Sequence, residues 1–185
     1  MKLLLTTALL LLASPAWCAT YNIDPEHTYP GFEIDHLGFS TQRGQFDQTS
    51  GFIELDQAAG TGRLEIHVNA ASLDTGLERR DEVLKGNDWF HAQSYPELIY
   101  RSDTIIFDNG RPVAVDGLLT LLGRTLPLRL EITRFKCGFN LAEKKRGCGA
   151  DARGILRRSD YGMVAGLPFV GNEVKLNIQM EAYVP

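Results

Sequence analysis

The stretch VKLNIQMEAYV, residues 174–184, alternates apolar and polar side chains from one position to the next. The apolar set is Val174, Leu176, Ile178, Met180, Ala182 and Val184, and the polar set is Lys175, Asn177, Gln179, Glu181 and Tyr183. Because successive side chains of a β-strand point to opposite faces, one face of this strand is apolar and the other meets water. This pattern is typical of antiparallel sheets and predicts an all-β fold.

Two upstream stretches show the same alternation, RLEIHVNA at 63–70 and LPLRLEIT at 126–133. Turn-forming residues such as Asn109 and Gly110 separate the alternating runs. Together they predict eight strands, near 28–39, 44–56, 62–71, 95–108, 112–122, 125–138, 148–158 and 172–184. Closing these strands into an antiparallel barrel buries every apolar face and removes both exposed edges. A barrel of this size either fills its own interior or holds one small ligand.

One segment, residues 72–91, lacks the two-residue period. Within it, Thr75 and Glu78 have the spacing of a capping box, and Asp81 and Lys85 have that of an i,i+4 ion pair. We therefore predict one short helix, at about 75–86, that caps or flanks an end of the barrel. No repeat or linker divides the chain, so a single domain is expected over residues 19–185.

The first 18 residues, MKLLLTTALLLLASPAWC, predict a secretory signal peptide that is removed. Lys2 supplies the positive start, and residues 3–13 form the apolar core. Cleavage is expected after Cys18, because small residues then occupy both recognition positions. The bulky Trp17 argues against cleavage one residue later and against a lipid anchor on Cys18. We therefore expect a periplasmic or secreted protein.

The charge balance narrows the function classes. The full chain has 19 Lys and Arg against 23 Asp and Glu, and its net charge of −4 becomes about −5 when Lys2 leaves with the signal peptide. Such a chain lacks the excess of positive charge that is typical of nucleic-acid-binding proteins. No second apolar run is long enough to cross a bilayer, so the mature protein is not expected to span a membrane.

Two cysteines remain after the expected cleavage, Cys137 and Cys148. An even number of cysteines in an exported protein is typical of a disulfide, whereas a redox site would favour a CxxC spacing that the chain lacks. We therefore predict that Cys137 and Cys148 form a structural disulfide across a loop between two strands.

The stretch DPEHTYPGFEIDH, residues 24–36, is rich in potential metal ligands. His27 and His36 are nine residues apart, so in a regular strand they point to opposite faces, although a bulge at Pro30 and Gly31 would change that register. Because no ligand spacing is recognisable, we predict no metal site. The chain has no nucleophile elbow, zinc-protease motif, P-loop or dinucleotide fingerprint, and we expect no enzymatic activity.

Two charged pairs invite a catalytic interpretation, Arg80 with Asp81 and Arg158 with Asp160. The first pair lies on the predicted helix and the second in a predicted turn, so capping and ion-pair roles are favoured over acid–base catalysis.

Short motifs along the whole mature chain carry a resemblance to one family. In order they are Y-x-I-D-x-x-H from Tyr21, F-x-I-x-H-L-G from Phe32, G-x-F from Gly44, S-L-D-T-G from Ser72 with Arg80-Asp81, W-F at Trp89, Y-P at Tyr95, G-x-L-T-L-x-G from Gly117, R-S-D-Y-G-M from Arg158 and the closing V-x-L-x-I-x-M-E-A. Their combination resembles the YceI-like family. Residues 28–31 depart from the family's pattern, which leaves the local register open, and the cysteine pair is not general in the family.

The resemblance implies an extended lipocalin-like barrel, usually exported, with an elongated apolar cavity. It also implies a ligand among long-chain isoprenoids, including polyisoprenoid quinones, or amphiphilic fatty amides. Some related secreted proteins are proposed to sequester lipophilic antibiotics, and family members occur beside membrane diheme cytochromes. No cofactor is expected beyond such a bound lipid.

The expected cavity lining combines the alternation with this resemblance. The candidate ligand-binding residues are Phe32, Ile34, His36, Leu64, Ile66, Val68, Leu119, Leu121, Leu128, Leu130, Leu176, Ile178 and Met180. The same side chains would form the core of a barrel that fills its own interior, so the alternation alone does not distinguish a tunnel from a core.

Three hypotheses of function follow. The first is a non-enzymatic carrier or scavenger of an isoprenoid or related amphiphile. The second is an interaction module: a filled barrel whose outer face, or whose Cys137–Cys148 hairpin with its charged tip at 143–146, docks a membrane cytochrome or another envelope protein. The third is a lipid-modifying enzyme that uses His36. The identity of the lipid and the pairing of two barrels as a homodimer stay open.

Overall fold

The computed structural model describes residues 18–185, which form eleven strands, one α-helix and two turns of 3-10 helix. The strands are β1 (Ala19–Ile23), β2 (Tyr29–His36), β3 (Ser40–Phe46), β4 (Thr49–Asp56), β5 (Thr61–Asn69), β6 (Leu73–Asp74), β7 (Glu97–Asp108), β8 (Arg111–Leu121), β9 (Arg124–Asn140), β10 (Lys145–Arg157) and β11 (Val170–Tyr183). The helix, α1, spans Glu78–Lys85, and the 3-10 turns span Ala70–Ser72 and Arg158–Tyr161. The predicted signal peptide lies outside the described residues except for Cys18, whose thiol is free and exposed.

The antiparallel sheet closes on itself. β1 and β2 lie end to end along the same edge of β11. β3 and β4 lie end to end beside them, and β6 continues β5 in the same way. When each such pair is counted as one interrupted strand, the described chain forms a ring of eight: β1/β2, β3/β4, β5/β6, β7, β8, β9, β10 and β11. The predicted eight-stranded antiparallel barrel is therefore confirmed.

A short seam between the first and last strands completes the ring. Asn22 pairs with Tyr183, and Ile23 pairs with Ala182, whose side chain is fully buried. The main-chain N–H of Asp24 donates to the Glu181 carbonyl at 3.0 Å and extends the seam by one further contact. The remainder of β11 pairs with β2.

The strand predicted at 28–39 is shorter in the structure. Leu37 and Gly38 adopt φ values of 59° and 71° and form the turn to β3, so β2 ends before them. Upstream, β2 keeps a continuous register with β11 across Pro30 and Gly31. The bulge considered at these two residues is absent, and the open question of the local register is thereby answered.

The strand predicted at 44–56 is two strands, β3 and β4, separated by Asp47 and Gln48. Their main chains bond to the β5–β6 connection, since the N–H of Asp47 donates to the Ser72 carbonyl at 3.1 Å and the N–H of Asn69 donates to the Gln48 carbonyl at 3.0 Å. The break between β3 and β4 therefore lies beside the break between β5 and β6 in the sheet. β1 lies outside the predicted strands, because its five residues are too short a run to show alternation.

The helix is shorter than predicted, and the expected capping box does not form. Leu77 precedes the first turn, and no side chain caps it. Asp81 is buried, and its carboxylate accepts hydrogen bonds from the Thr75 hydroxyl at 2.5 Å and the Thr75 N–H at 2.9 Å. The predicted pair of Asp81 with Lys85 is therefore wrong, because burial turns the carboxylate toward Thr75 rather than along the solvent face of the helix.

The barrel has two distinct ends. The helix end is defined by α1, the β2–β3 and β8–β9 turns, and residues 158–169 between β10 and β11. The disulfide end is defined by the β4–β5, β7–β8 and β9–β10 turns. α1 thus flanks one end, as predicted. Among residues 18–185, no helix has the length and apolar content needed to span a bilayer.

Candidate functional site

An elongated cavity of about 400 Å³ runs through the barrel from the helix end toward the disulfide end. All thirteen predicted lining residues lie on its wall: Phe32, Ile34, His36, Leu64, Ile66, Val68, Leu119, Leu121, Leu128, Leu130, Leu176, Ile178 and Met180. This volume is within the range of small-molecule sites. The contact of these residues with a ligand stays a prediction.

The inner face of β10 explains why the barrel does not fill itself. Ala150, Ala152 and Gly154 occupy three successive inward positions of this strand, and they pair with the Met180, Ile178 and Leu176 positions of β11. The small side chains of Ala150 and Ala152 line the cavity, whereas the space beside Gly154 is taken by Leu130. A Cβ added at Gly154 would lie only 2.8 Å from a methyl carbon of Leu130.

The cavity opens at the helix end. Three of its lining residues, His36, Arg43 and Val83, are also exposed, and all three lie at this end. Arg43 is paired with Glu33, its Nε donating to the carboxylate at 2.9 Å. His36, one of the predicted lining residues, lies at the mouth and is exposed, because β2 ends at this residue.

An aromatic cluster lines the cavity near the helix end. The Phe46 ring contacts Phe90 edge-on, with centroids 5.4 Å apart, and Phe32 lies 6.1 Å from Phe46 and 6.4 Å from Phe90. Gly44 makes room for this packing, because a Cβ there would lie 2.5 Å from the Phe32 ring. Phe90 comes from the segment after α1, so the helical connection supplies part of the cavity wall.

Arg158 is the most deeply buried charged residue at the site, with 1% of its surface exposed. Its guanidinium donates to the main-chain carbonyls of Gly171 at 2.7 Å, Met163 at 2.9 Å and Val170 at 3.0 Å. The Trp89 ring lies against it, 5.1 Å from the guanidinium carbon. Burial lowers the pKa of the Arg158 guanidinium, yet no carboxylate of the described chain forms an ion pair with it.

Arg80 is a third cation on the cavity wall, and it is half-buried. It donates to the Thr75 carbonyl at 2.6 Å, the Thr75 hydroxyl at 2.7 Å and the Gln42 side-chain oxygen at 2.5 Å. The Thr75 hydroxyl in turn donates to Asp81, so this carboxylate reaches Arg80 only through one intervening hydroxyl.

Thr49 adds an unpartnered polar atom to the wall. This residue is 4% exposed, lies at the start of β4 and lines the cavity. Its hydroxyl is the one buried side-chain polar atom that lacks a hydrogen-bond partner within residues 18–185. A buried hydroxyl without a partner is costly, so it is available to a polar group of a ligand.

The disulfide lies at the far end of the cavity from the mouth. Cys137 of β9 and Cys148 of β10 are directly paired strand neighbours and are bonded, as predicted. Cys148 is buried and contributes to the cavity wall. The bond therefore ties the two strands together where the cavity ends.

Other titratable side chains form clusters away from the cavity. On the outer face, Glu65 accepts from Arg101 at 2.9 Å and contacts His67 at 2.7 Å, and Glu97 contacts the other ring nitrogen of His67 at 3.2 Å. The hydrogen bonds from Arg101 and then His67 lower the pKa of Glu65 to about 2. The hydrogen bond to Glu65 raises the pKa of His67. These contacts stabilise the pairing of β5 with β7 in the barrel wall.

Asp24, His27 and Glu181 form a three-residue cluster of possible metal ligands at the disulfide end. Hydrogen bonds within the cluster and to a neighbouring side chain already account for the positions of these three residues. Asp24 contacts the ring of His27 at 2.6 Å, which raises the pKa of this histidine, and the Tyr183 hydroxyl donates to Glu181. The cluster lies where the chain passes from β1 to β2, and its members do not line the barrel cavity.

Sequence reasoning missed the polar part of the site. Arg158 and Arg80 were assigned ion-pair and capping roles, but their side chains lie on the cavity wall. A signal for Arg158 was present, because it begins the R-S-D-Y-G-M motif yet has no acidic residue at a neighbouring helical spacing. Trp89 and Phe90 carried a similar signal as a pair of large aromatic residues directly after a polar helix.

Comparisons with known proteins agree with this architecture. A family model described as the YceI-like domain matches residues 21–182. A UPF0312 protein of Photorhabdus laumondii is 34% identical over 177 residues, which is 94% of this chain and 91% of the relative.

Two solved structures share the fold. BcnA of Burkholderia cenocepacia is similar with a TM-score of 0.71 and 21% identity, over 86% of this chain and 99% of that protein. A polyisoprenoid binding domain from Saccharophagus degradans, implicated in plant cell wall breakdown, is similar with a TM-score of 0.64 and 16% identity, over 91% of this chain and 100% of the domain.

Proposed function

This chain belongs to the YceI-like family, and on that premise we propose that it binds a long-chain isoprenoid or related amphiphilic lipid inside its barrel without catalysing a reaction. The observation that carries the proposal is the elongated apolar cavity, which is open at one end and left unfilled by the small residues of β10. The solved domain from Saccharophagus degradans, which shares this fold, is a polyisoprenoid binding domain.

The chemistry of the wall suits a hydrocarbon chain. Each methylene removed from water contributes about 0.8 kcal/mol, so about ten buried carbons offer roughly 8 kcal/mol before the cost of association. The charged side chains of the wall, Arg43, Arg80 and Arg158, lie at the helix end, where they can orient a head group.

The cavity wall offers little to a catalytic mechanism. Of the described residues that line it, none is a serine, aspartate or glutamate, and its single histidine, His36, forms no hydrogen bond to a carboxylate. An acid–base pair or an activated nucleophile would need such partners. This composition supports a carrier or scavenger.

Native mass spectrometry of protein purified from its producing cell tests the proposal. We expect an additional mass that organic extraction resolves into a prenyl or fatty species. Ile66→Trp and Ile178→Trp, which place an indole in the cavity, should remove that mass. Ile155→Trp on the exposed outer face of β10 is the matched control and should retain it. Full occupancy in both cavity variants would contradict binding inside the barrel.

We place the protein in the periplasm or outside the cell, on the basis of the predicted signal peptide. The same mass measurement tests this: the polypeptide from the exported fraction should begin at Ala19. A polypeptide that retains residues 1–18 would contradict the placement.

A docking function at the disulfide end is a second candidate. The charged tip at 143–146 covers the end of the β9–β10 turn and the start of β10, and Phe139 and Leu141 beside it are 58% and 82% exposed. Exposed aromatic and aliphatic side chains next to charges are typical of protein interfaces. Replacing Lys144, Lys145 and Arg146 by Gln should abolish capture of an envelope partner and leave any bound lipid in place. Unchanged capture would remove this candidate.

A further inference from the structure

The helix end of the barrel exposes large apolar side chains on its outermost turns. Phe39 in the β2–β3 turn is 90% exposed, and its neighbour Leu37 is also exposed. In the connection between β10 and β11, Phe169 is 67% exposed, and Val164 is exposed as well. We call these four side chains the apolar rim. Contact of so much apolar surface with water is unfavourable, and patches of this kind mark contacts with a protein or a membrane.

The two turns that carry the apolar rim are joined to each other. The N–H of Leu37 donates to the Phe169 carbonyl at 2.8 Å, and His36 pairs with Val170 where β2 meets β11. Within the β2–β3 turn, the N–H of Phe39 donates to the His36 carbonyl at 3.0 Å. These bonds use main-chain atoms, so they hold the two turns side by side without burying the rim side chains.

The apolar rim borders the open mouth of the cavity. Leu37 directly follows His36, and Phe169 directly precedes Val170. Both His36 and Val170 line the cavity. A surface that contacts the rim therefore lies directly over the mouth.

The surroundings of the apolar rim carry no net charge that could select a partner. The segments LGFSTQ at 37–42 and MVAGLPFVGN at 163–172 contain no Asp, Glu, Lys or Arg, although 23% of the chain is charged. Asp35 beside the first segment accepts a hydrogen bond from the Gly38 N–H at 3.0 Å. The adjacent helix α1, ERRDEVLK, has equal numbers of acidic and basic side chains. Apolar burial, rather than charge complementarity, therefore drives contact at the rim.

We propose that the apolar rim inserts into the surface of a lipid bilayer and sets the cavity mouth against it. This inference rests on the proposed function, because a long-chain ligand that dissolves poorly in water is held in membranes. Single large side chains on projecting turns suit a fluid surface that closes around each of them, whereas a folded protein partner needs matching pockets. Uncharged rim segments also suit a lipid phase, in which charge is costly.

Vesicle flotation of the mature protein tests the proposal. Vesicles of phosphatidylcholine alone should carry the protein, and binding should change less than about twofold between about 0.05 and about 0.5 M salt, because the contact is apolar. Combining Phe39→Ser with Phe169→Ser should weaken binding about tenfold or more, as the loss of buried phenylalanine surface predicts. The matched control combines Phe139→Ser with Leu141→Ser, which removes exposed apolar side chains at the disulfide end, and should bind vesicles within about twofold of the unmodified protein.

Fluorescence gives a direct readout of insertion. The emission of Phe39→Trp should shift to shorter wavelength when vesicles are added, and phospholipids brominated on their acyl chains should quench it. Phe139→Trp is the control and should show neither effect. The unmodified protein, which keeps Trp89, supplies the background.

The possible failures are distinguishable. Absence of binding to phosphatidylcholine vesicles would leave the rim to a protein partner and overturn the proposal, as would binding that only anionic vesicles support. A native mass that halves when Phe39→Ser is combined with Phe169→Ser would show that a second copy of the chain covers the rim, and this too would overturn it.

The mass of bound lipid reports the proposed function separately from vesicle binding. A protein that carries lipid but does not bind vesicles would overturn the docking proposal alone. A protein that binds vesicles through Phe39 and Phe169 but carries no lipid would support docking and overturn the proposed function.

Discussion

Removing the disulfide should lower the stability of the barrel by an amount that follows from its position. Cys137 and Cys148 are separated by 11 residues. The chain-entropy relation assigns about 3 kcal/mol to a loop of this length. For a domain of this size, each kcal/mol shifts the melting temperature by roughly 2–4 °C, so we expect a decrease of roughly 6–12 °C.

The Cys137→Ala/Cys148→Ala variant should be compared with the oxidised protein by urea unfolding, monitored by far-ultraviolet circular dichroism. Alanine is the suitable replacement because Cys148 is buried, and a serine hydroxyl would add a desolvation cost. The reduced unmodified protein is the control that keeps both sulfur atoms and removes only the bond. If both forms unfold within about 0.5 kcal/mol of the oxidised protein, the entropic reasoning is refuted for this hairpin.

Three further substitutions test the packing and electrostatics. Gly44→Ala should cost about 1–3 kcal/mol, because its Cβ would lie 2.5 Å from the Phe32 ring, and adding Phe32→Leu should recover at least half of this loss in thermal unfolding. Tyr100→Phe should cost about 1 kcal/mol in urea unfolding, because its buried hydroxyl donates to a main-chain carbonyl of β9 at 2.9 Å. The contacts of His67 raise its pKa above the ordinary value of 6.5, so they stabilise the fold fully below pH 6.5 and lose this effect as the pH rises through the raised pKa. The contacts of Glu65 lower its pKa from 4.5 to about 2, so they stabilise the fold fully above pH 4.5 and lose this effect as the pH falls toward 2. The urea midpoint should therefore be highest between about pH 4.5 and 6.5, and a Glu65→Gln variant that keeps the same pH profile would contradict this assignment.

Much of the fold was predictable because a closed barrel imposes a strict two-residue period. Ile66 and Ile178 must face the interior once their strands pair in a ring, and no tertiary detail is needed to place them. The strand breaks were not predictable in the same way. Asp47 and Gln48 interrupt their strand because the neighbouring connection bonds to their main chain, and that partner is distant in sequence.

The polar part of the site was harder to predict from the sequence, for the same reason. The carbonyls that bury Arg158 come from Met163 and the start of β11, so its environment depends on how a loop returns to the barrel. Local reasoning assigned Arg158 to a turn and an ion pair, and it could not show that the side chain points inward. By contrast, the two-residue period already places the small side chains of Ala150 and Ala152 on the inner face of β10, where they line the cavity.

The seam between β1 and β11 makes closure of the barrel depend on residues 170–183, which are synthesised after every other strand of the ring. Thr28 bonds to the main chain of Glu181, a partner 153 residues away, and contacts of such long range slow folding. A nascent chain must therefore hold its first two strands unpaired with β11 until residues 170–183 have been synthesised. A chain that stops before residue 170 keeps two open sheet edges, on β10 and on β1/β2, which promote aggregation. A chain that lacks β11 therefore cannot close the barrel.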